Sequence, residues 1–357
     1  MSYACRSAAA SAGALIAALV AAAPSAHATA ADTTVLHPGQ SIQVAIDRAR
    51  PGATIVLERG TYRENLLITK PLTLRGRAGA ILRPSASIAE NLCTQDPDAA
   101  SQANDVGVCI LGDVRPPDPG SDEPVVLGLV HDVTVQGLTI RGFSGQGILA
   151  FATARLQLRD DRVSGTGDVG VYLEHGTGTE LDHVVVRDNA SAGVRISATS
   201  GLNVRHVLAS GNREGLLVLD SRGGQLVDNT LTGNCAGLIA LDTPDGAVTG
   251  SLLIAGNELS HNNRYCAGDD GPAESGIGVV LLGTSHVLLV ANHITANVPS
   301  RTGADFSGVG LTIRDAAGIT GGAAPVDNWI IGNRITANPV NIDYDGSGHG
   351  NRFIANR

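Results

Sequence analysis

Acidic and aromatic residues gather in two neighbouring stretches, NNRYCAGDDGPAES at 262–275 and VPSRTGADFSGV at 298–309. Carboxylates grouped in this way can act as general acid and base, or as the oxygen ligands of a calcium ion. The candidate catalytic residues are Asp269, Asp270 and Glu274, and the candidate binding residues are Tyr265 and Asp305. The alternative is a pair of hydrated loops whose acids only keep the surface soluble.

A second group recurs at one place in successive copies of a repeat and consists of Asp160, His183, His206 and Asp228. Two histidines one repeat apart and flanked by aspartates predict a shared metal ion or a proton relay. We take His183 and His206 as the candidate catalytic residues of this group. Because Asp and His are also common at chain corners, a purely structural role is the alternative.

A third group consists of Asp220 and Asp242, which close successive copies of the repeat. Two carboxylates at about one strand spacing, roughly 4.8 Å, either hold a cation or force one pKa upward. This predicts a metal site with calcium as the candidate ion, in a protein that requires no cofactor. Both residues also precede turn sequences, LDSRGG and LDTPDG, where Asp is favoured for local hydrogen bonds.

The elements that must position these groups follow from a repeat with a period in the low twenties. Copies of N-x-apolar-x-x-N include NTLTGN, NELSHN, NHITAN, NRITAN and NRFIAN, and short alternating apolar runs recur with them. Such a period without helical stretches predicts an all-β, right-handed parallel β-helix of about ten rungs. The expected asparagine ladder is Asn189, Asn212, Asn234, Asn262, Asn297 and Asn338. A leucine-rich repeat lacks its leucines here, and a propeller needs longer blades.

Each rung has a glycine before its apolar strand, at Gly147, Gly170, Gly193, Gly215, Gly237, Gly278 and Gly310. Alternation along the strand after this rung glycine separates inward from outward side chains. The predicted outward pairs include Tyr172 with Glu174, Leu217 with Leu219, Ile239 with Leu241, and Val280 with Leu282. We call Leu217, Ile239 and Val280 the apolar stripe, because they make three successive rungs apolar on the outward face. The stripe predicts either a covering insertion or a binding site for an apolar ligand.

Three insertions interrupt the rungs, at 87–124, 263–276 and 298–309. Four cysteines follow the N-terminal segment, and an even count in an exported protein favours disulfides over metal ligation. We expect Cys93 to pair with Cys109, and Cys235 with Cys266. The second bridge would hold the base of the middle insertion against the solenoid.

The N-terminal 30 residues contain the apolar stretch SAAASAGALIAALVAAA followed by Ala-x-Ala sites, which predicts a secretory signal peptide. The remaining residues, 31–357, are expected to form a single secreted, extracellular domain without a membrane span, whose open end is capped by a helix at 41–49. A net charge of −9 and a single lysine argue against a nucleic-acid partner.

The stretch SIQVAIDRARPGATIVLERGTYREN followed by PLTLRGRAG resembles the start of the pectin-lyase-like, right-handed parallel β-helix superfamily. The N-x-[IL]-x-x-N rungs resemble its carbohydrate-binding and sugar-hydrolase repeats, which accessory proteins of copper-site maturation share. The resemblance implies a polysaccharide groove with an Arg or Lys base on the outward strand face. Arg195 and Arg314 occupy that face here, although no group of acids surrounds either one.

Three functions remain open from the sequence. The first is a carbohydrate-active monomer that acts as a polysaccharide lyase, epimerase or hydrolase. The second is a non-catalytic extracellular binding protein. The third is an enzyme that acts on an apolar small molecule in a loop-covered pocket on the stripe.

Overall fold

The computed structural model describes residues 32–88, 93–94, 105–118, 124–244, 246–268 and 272–357. The predicted signal peptide at 1–30 and the candidates Asp269 and Asp270 lie outside the described residues. The predicted capping helix forms at Ile42–Arg48, where the Ser41 side chain accepts a hydrogen bond from the Val44 amide. Ile42 and Ile46 are four residues apart on one helix face and are buried against the end of the solenoid. No helix in the described part is long and apolar enough to cross a membrane.

In the described part of the chain, three parallel sheets run the length of the domain. The first contains Thr33–Leu36, Ala53–Leu57, Leu72–Gly76, Val133–Gln136, Gln157–Arg159, Glu180–Asp182, Ser200–Arg205, Arg222–Val227, Gly250–Ala255, Leu288–Val290, Trp329–Ile331 and Arg352–Ile354. The second contains Gly60–Arg63, Ala80–Arg83, Thr139–Arg141, Arg162–Ser164, Val185–Arg187, Leu208–Ser210, Thr230–Thr232, Glu258–Ser260, His293–Thr295 and Arg334–Thr336.

The third sheet contains Leu66–Ile68, Val108–Leu111, Ile148–Phe151, Val171–Glu174, Val194–Ser197, Glu214–Leu219, Ala236–Leu241, Glu274–Leu282, Phe306–Arg314 and Val340–Tyr344, with Tyr265–Cys266 antiparallel to Glu274–Leu282. Two small sheets pair Val130–His131 with Thr153–Ala154, and Asp113–Arg115 with Val125–Gly128. The predicted right-handed parallel β-helix is therefore the observed fold, since each rung passes through all three sheets in turn.

Asparagine ladders hold the rungs together at the corners. The predicted ladder forms from Asn189 to Asn338, and each side-chain amide donates to the next Asn carbonyl oxygen at 2.9–3.2 Å. A second ladder runs through Asn229, Asn257, Asn292, Asn333 and Asn356. The last motif copy, NRFIAN, is shifted, because Asn351 pairs with Asn328 at a different corner.

The core lies inside the three sheets and is almost entirely aliphatic, with Ile, Leu and Val side chains at or near zero exposure. Both predicted disulfides are present, Cys93–Cys109 and Cys235–Cys266. Each one fastens an insertion over the outward face of the third sheet.

Candidate functional site

The outward face of the third sheet has the register that the alternation predicts. Paired positions run Leu149, Tyr172, Arg195, Leu217, Ile239, Val280, Thr312 and Asp343 across successive strands. The three residues of the apolar stripe therefore lie next to one another on adjacent strands, and Ile239 and Val280 are buried. What lies over the stripe determines its chemistry.

A cavity of about 220 Å³ lies over the stripe, and we call it the carboxylate pocket. Its floor is Leu217, Ile239 and Val280, and its apolar walls include Ile277 and Phe306 from the extended starts of two strands. Glu214 and Glu274 close one end, each with only 5% of its surface exposed. A buried acid pair in an apolar cavity departs from what packing alone would select.

One arginine serves both glutamates. Arg213 Nε donates to Glu214 Oε1 at 3.0 Å and lies 3.8 Å from Glu274 Oε2. Its two terminal nitrogens donate to the carbonyl oxygens of Ala267 and Pro272, which fixes the middle insertion above the pocket. The guanidinium is therefore fully engaged and compensates the charge of one carboxylate, not two.

Burial and the nearby Glu214 carboxylate raise the pKa of Glu274 to about 8. Burial also raises the pKa of Glu214, although the Arg213 charge opposes this. The two carboxyl groups are hydrogen-bonded to each other, and their buried Oε2 atoms receive no hydrogen bond from any other described residue. The pair consequently retains a proton at neutral pH.

The opposite wall of the pocket comes from residues 315–325, a segment that the sequence analysis did not separate from the rung. Asp242 anchors it, because its side chain accepts from the Ala323 amide at 2.7 Å and its carbonyl accepts from the Thr320 hydroxyl. Arg314 lies at this end and pairs with Asp343 at 2.5 Å. Asp220 accepts hydrogen bonds from the amide and the hydroxyl of Thr243. Both aspartates thus bind protein donors, and their role as cation ligands stays a prediction.

The middle and last insertions lie side by side. Asp305 accepts from the Ala273 amide at 2.8 Å, and the Arg301 guanidinium stacks 3.6 Å from the centre of the Tyr265 ring. Asp305 and Tyr265 therefore join the two insertions to each other. Of the predicted acids that lie in the described residues, Glu274 is the one that lines the pocket.

A separate cluster, the histidine corner, consists of Asp182, His183 and His206. The two histidines take the same left-handed backbone conformation at one corner, with φ of 56° and 53°. Their rings lie 4.5 Å apart, and both Nδ1 atoms approach one Asp182 oxygen, at 2.8 and 2.9 Å. In the described residues this is the one group of three His, Cys, Asp or Glu donors within 4.8 Å of one another.

Partial burial acts to raise the pKa of Asp182, but the hydrogen bond from His206 and the charges of Arg205 and both histidines lower it overall. Asp182 is thus a carboxylate at neutral pH and accepts hydrogen bonds. The two imidazoles and this carboxylate therefore offer nitrogen and oxygen donors to one ion.

On the outward face of the third sheet, Tyr172, Glu174 and Arg195 form a polar group on two adjacent strands. The Arg195 guanidinium lies 5.0 Å from the centre of the Tyr172 ring. Burial and the Glu174 charge raise the pKa of Tyr172, which keeps the phenol protonated. The structure therefore brings these three predicted residues together, apart from Arg314.

The sequence analysis missed Arg213 and Glu214. A usable indication was present, because the residue before the rung glycine is uncharged in the other rungs: Gln146, Val169, Ala192, Ala236, Ile277 and Val309. Glu214 is the charged exception in that series. An acid at a position that is otherwise uncharged and buried marks a departure from packing.

Residues 131–357 match a protein-family model described as NosD, periplasmic copper-binding protein. A comparison with curated proteins found no match. The A-module of the mannuronan C-5 epimerase AlgE4 from Azotobacter vinelandii is similar in structure, with a TM-score of 0.60, 17% identity and coverage of 88% of this chain and 89% of that one. The AlgE6 A-module from the same organism gives a TM-score of 0.58, 20% identity and 88% coverage of both chains.

The Dettilon tailspike protein is a third structural neighbour, with a TM-score of 0.51, 13% identity, and coverage of 88% of this chain and 61% of the tailspike. At these identities the neighbours establish the right-handed parallel β-helix and nothing about activity. The family model, in contrast, spans well over half of the sequence. On that evidence the chain belongs to the NosD family of periplasmic copper-binding proteins.

Proposed function

We propose that this protein binds Cu(II) outside the cytoplasm, at the histidine corner. The observation that carries the proposal is the convergence of two imidazoles and one carboxylate on adjacent rungs. Imidazole and carboxylate donors suit Cu(II), which also binds such sites more tightly than other divalent first-row ions do. The donor chemistry therefore fits the ion named in the family description.

The oxidation state follows from the donors. Cu(I) prefers thiolates and thioethers. In this chain the single methionine is Met1, and four of the five cysteines are in disulfides. The corner supplies nitrogen and oxygen instead, which favours Cu(II).

His183, His206 and Asp182 would hold the ion together, through two imidazole nitrogens and one carboxylate oxygen. The histidine side chains are 60% and 43% exposed. An exposed site with few protein donors leaves room for donors from water or from a partner, so copper is proposed as cargo. Disulfides and a periplasmic family fit a location outside the cytoplasm, whereas release from the cell stays a prediction.

The experiment is a Cu(II) titration of the mature protein against a competing chelator, with electron paramagnetic resonance to detect bound nitrogen. We expect His183→Ala and His206→Ala each to weaken binding by at least about 30-fold, and Asp182→Asn by about 10- to 100-fold. His293→Ala is the matched control, because His293 also contacts a carboxylate, Glu258, at 2.7 Å but belongs to no group of three donors among the described residues. Unchanged affinity in both histidine variants would overturn the proposal.

Polysaccharide action stays a prediction, and the polar group of Tyr172, Glu174 and Arg195 supports it. The outward face next to this group is apolar, which suits a chain of hydroxylated sugars poorly. An assay for new reducing ends and unsaturated sugar ends on polyuronates, with and without calcium, compares wild type with Arg195→Ala. Loss of product in the variant would support this second function.

A further inference from the structure

We propose that the carboxylate pocket binds a small organic amine, whose ammonium group lies against Glu214 and Glu274 and whose apolar body covers the stripe. This site is separate from the histidine corner, which lies between the first and second sheets. The proposal rests on three observations: a mainly apolar cavity, two buried acids that line one end of it, and a single arginine for the two acids.

The charge count comes first. The charged residues that line the cavity in the described chain are Arg213, Glu214, Glu274 and Arg314. Arg314 is paired with Asp343 at the far end. Arg213 is therefore the single cation for two buried carboxylates, and the fully ionised acid pair has a net excess of one negative charge.

The excess negative charge of the acid pair can be neutralised in two ways. Without a ligand the pair keeps one proton, since burial and mutual repulsion disfavour the second ionisation. With a ligand, an ammonium group can supply the missing positive charge in place of the proton that the two carboxyl groups share. Binding of an amine therefore releases the proton that the acid pair holds in the free protein.

The shape of the pocket defines the rest of the ligand. The floor and walls are mainly apolar, and away from the acid end the polar lining residues are Thr312, Thr320 and Arg314, so a polyhydroxylated ligand would leave most of its hydroxyl groups unpaired. The cavity of about 220 Å³ is also smaller than pockets for drug-sized molecules, which start near 300 Å³. A short alkyl or arylalkyl amine fits both limits.

The test uses calorimetric titration of the mature protein with n-butylamine, n-hexylamine and 2-phenylethylamine, each compared with the alcohol of the same carbon skeleton. We expect at least one amine to bind at least about tenfold more tightly than its alcohol. Titrations near pH 7 in buffers of different ionisation enthalpy should show close to one proton released per amine. The affinity should rise by up to about tenfold per pH unit below the pKa of the pair.

Glu274→Gln keeps the shape of the side chain but removes both its proton and its charge. We expect this variant to lose at least about tenfold in amine affinity and to release no proton. Glu258→Gln, which changes an acid outside the pocket, should match wild type. Ile239→Phe leaves both acids in place and fills the cavity, so it should weaken the binding of every probe, and thermal unfolding checks that each variant is folded.

Three results would overturn the proposal. The first is equal binding of amines and alcohols, and the second is amine binding without proton release. The third is the absence of binding by every amine at millimolar concentration to folded wild-type protein. None of these outcomes depends on copper, so the proposal can fail while the histidine corner remains a copper site.

Discussion

The outward face of the third sheet is covered at two places, and the covers leave different interiors. Over the early rungs, the first insertion packs an apolar cluster of Cys93, Val106, Cys109, Leu111, Phe151 and Ala152. Over the later rungs, the other insertions and residues 315–325 enclose a cavity with Glu214 and Glu274 at one end. Both covers are fastened by a disulfide.

The difference shows what covering a β-helix face can achieve. Apolar strand residues exposed to water destabilise a soluble protein, and an apolar cover solves that problem completely. Buried acids and a cavity do not help to shield apolar strand residues from water, and each of them lowers the stability of the fold. A region that retains both is therefore better explained by a ligand than by packing.

The largest expected contrast is between Leu111→Ala and Leu282→Ala. Both leucines occupy the same outward column of the third sheet and are 8% and 5% exposed, but Leu282 lines the cavity. We expect Leu111→Ala to lower the free energy of unfolding by about 4 kcal/mol and Leu282→Ala by about 2 kcal/mol, because one side of Leu282 already lacks packing partners. Urea unfolding followed by circular dichroism measures both.

Amine titration adds a second measurement to this pair. Leu282→Ala should weaken amine binding, and Leu111→Ala should not. If Leu111→Ala and Leu282→Ala lost the same stability and had the same amine affinity, the two covers would be equivalent and the comparison would fail.

The second contrast is between the two disulfides. Replacing either cysteine pair by serine should lower the free energy of unfolding by about 3 kcal/mol. The loss should be roughly 0.6 kcal/mol larger for Cys235–Cys266, whose cysteines are 31 residues apart in sequence, than for Cys93–Cys109, whose cysteines are 16 apart. The functional outcomes should differ. Loss of Cys235–Cys266 releases the base of the insertion whose carbonyls bind Arg213, so amine affinity should fall, whereas loss of Cys93–Cys109 should leave it unchanged.

Calorimetric titration of both double variants tests this contrast. If the Cys235→Ser, Cys266→Ser protein bound amines as wild type does, the disulfide would be only a stability element, like its counterpart.

Sequence periodicity predicted most of this architecture, because stacking repeats one environment many times. The asparagine ladder, the inward and outward columns and both disulfides follow from spacing alone, since equivalent positions on adjacent rungs must meet. The same reasoning placed Leu217, Ile239 and Val280 in one stripe. Spacing also brought His183 and His206 to one corner.

The rest depends on features that do not repeat. The path of residues 315–325 is set by contacts with Asp242, which no spacing rule predicts. The pairing of Glu274 with Glu214 likewise requires the middle insertion to fold back by a particular distance. NRFIAN shows the limit of motif matching, because the same pattern there spans a different corner.

The smallest expected contrast is in the dependence of stability on pH. The pKa of Glu274 is raised from an ordinary 4.5 to about 8 in the folded protein, mainly by burial. Its contribution to stability is therefore fully present below about pH 4.5 and is lost as the pH rises through about 8. We expect the free energy of unfolding of wild type to fall between about pH 5 and pH 9, and Glu274→Gln to recover about 2 kcal/mol at the upper end.

Asp161 separates the pocket from the general cost of a buried acid. Asp161 lies in the corner column of the second asparagine ladder and is completely buried. Burial raises its pKa to about 8, so its contribution to stability also falls as the pH rises. Asp161→Asn should also flatten the pH profile, because an amide does not titrate, yet it should leave amine binding and proton release unchanged. If Asp161→Asn alone abolished the pH dependence, the acid pair would not titrate in this range and the pocket would have lost its distinguishing charge.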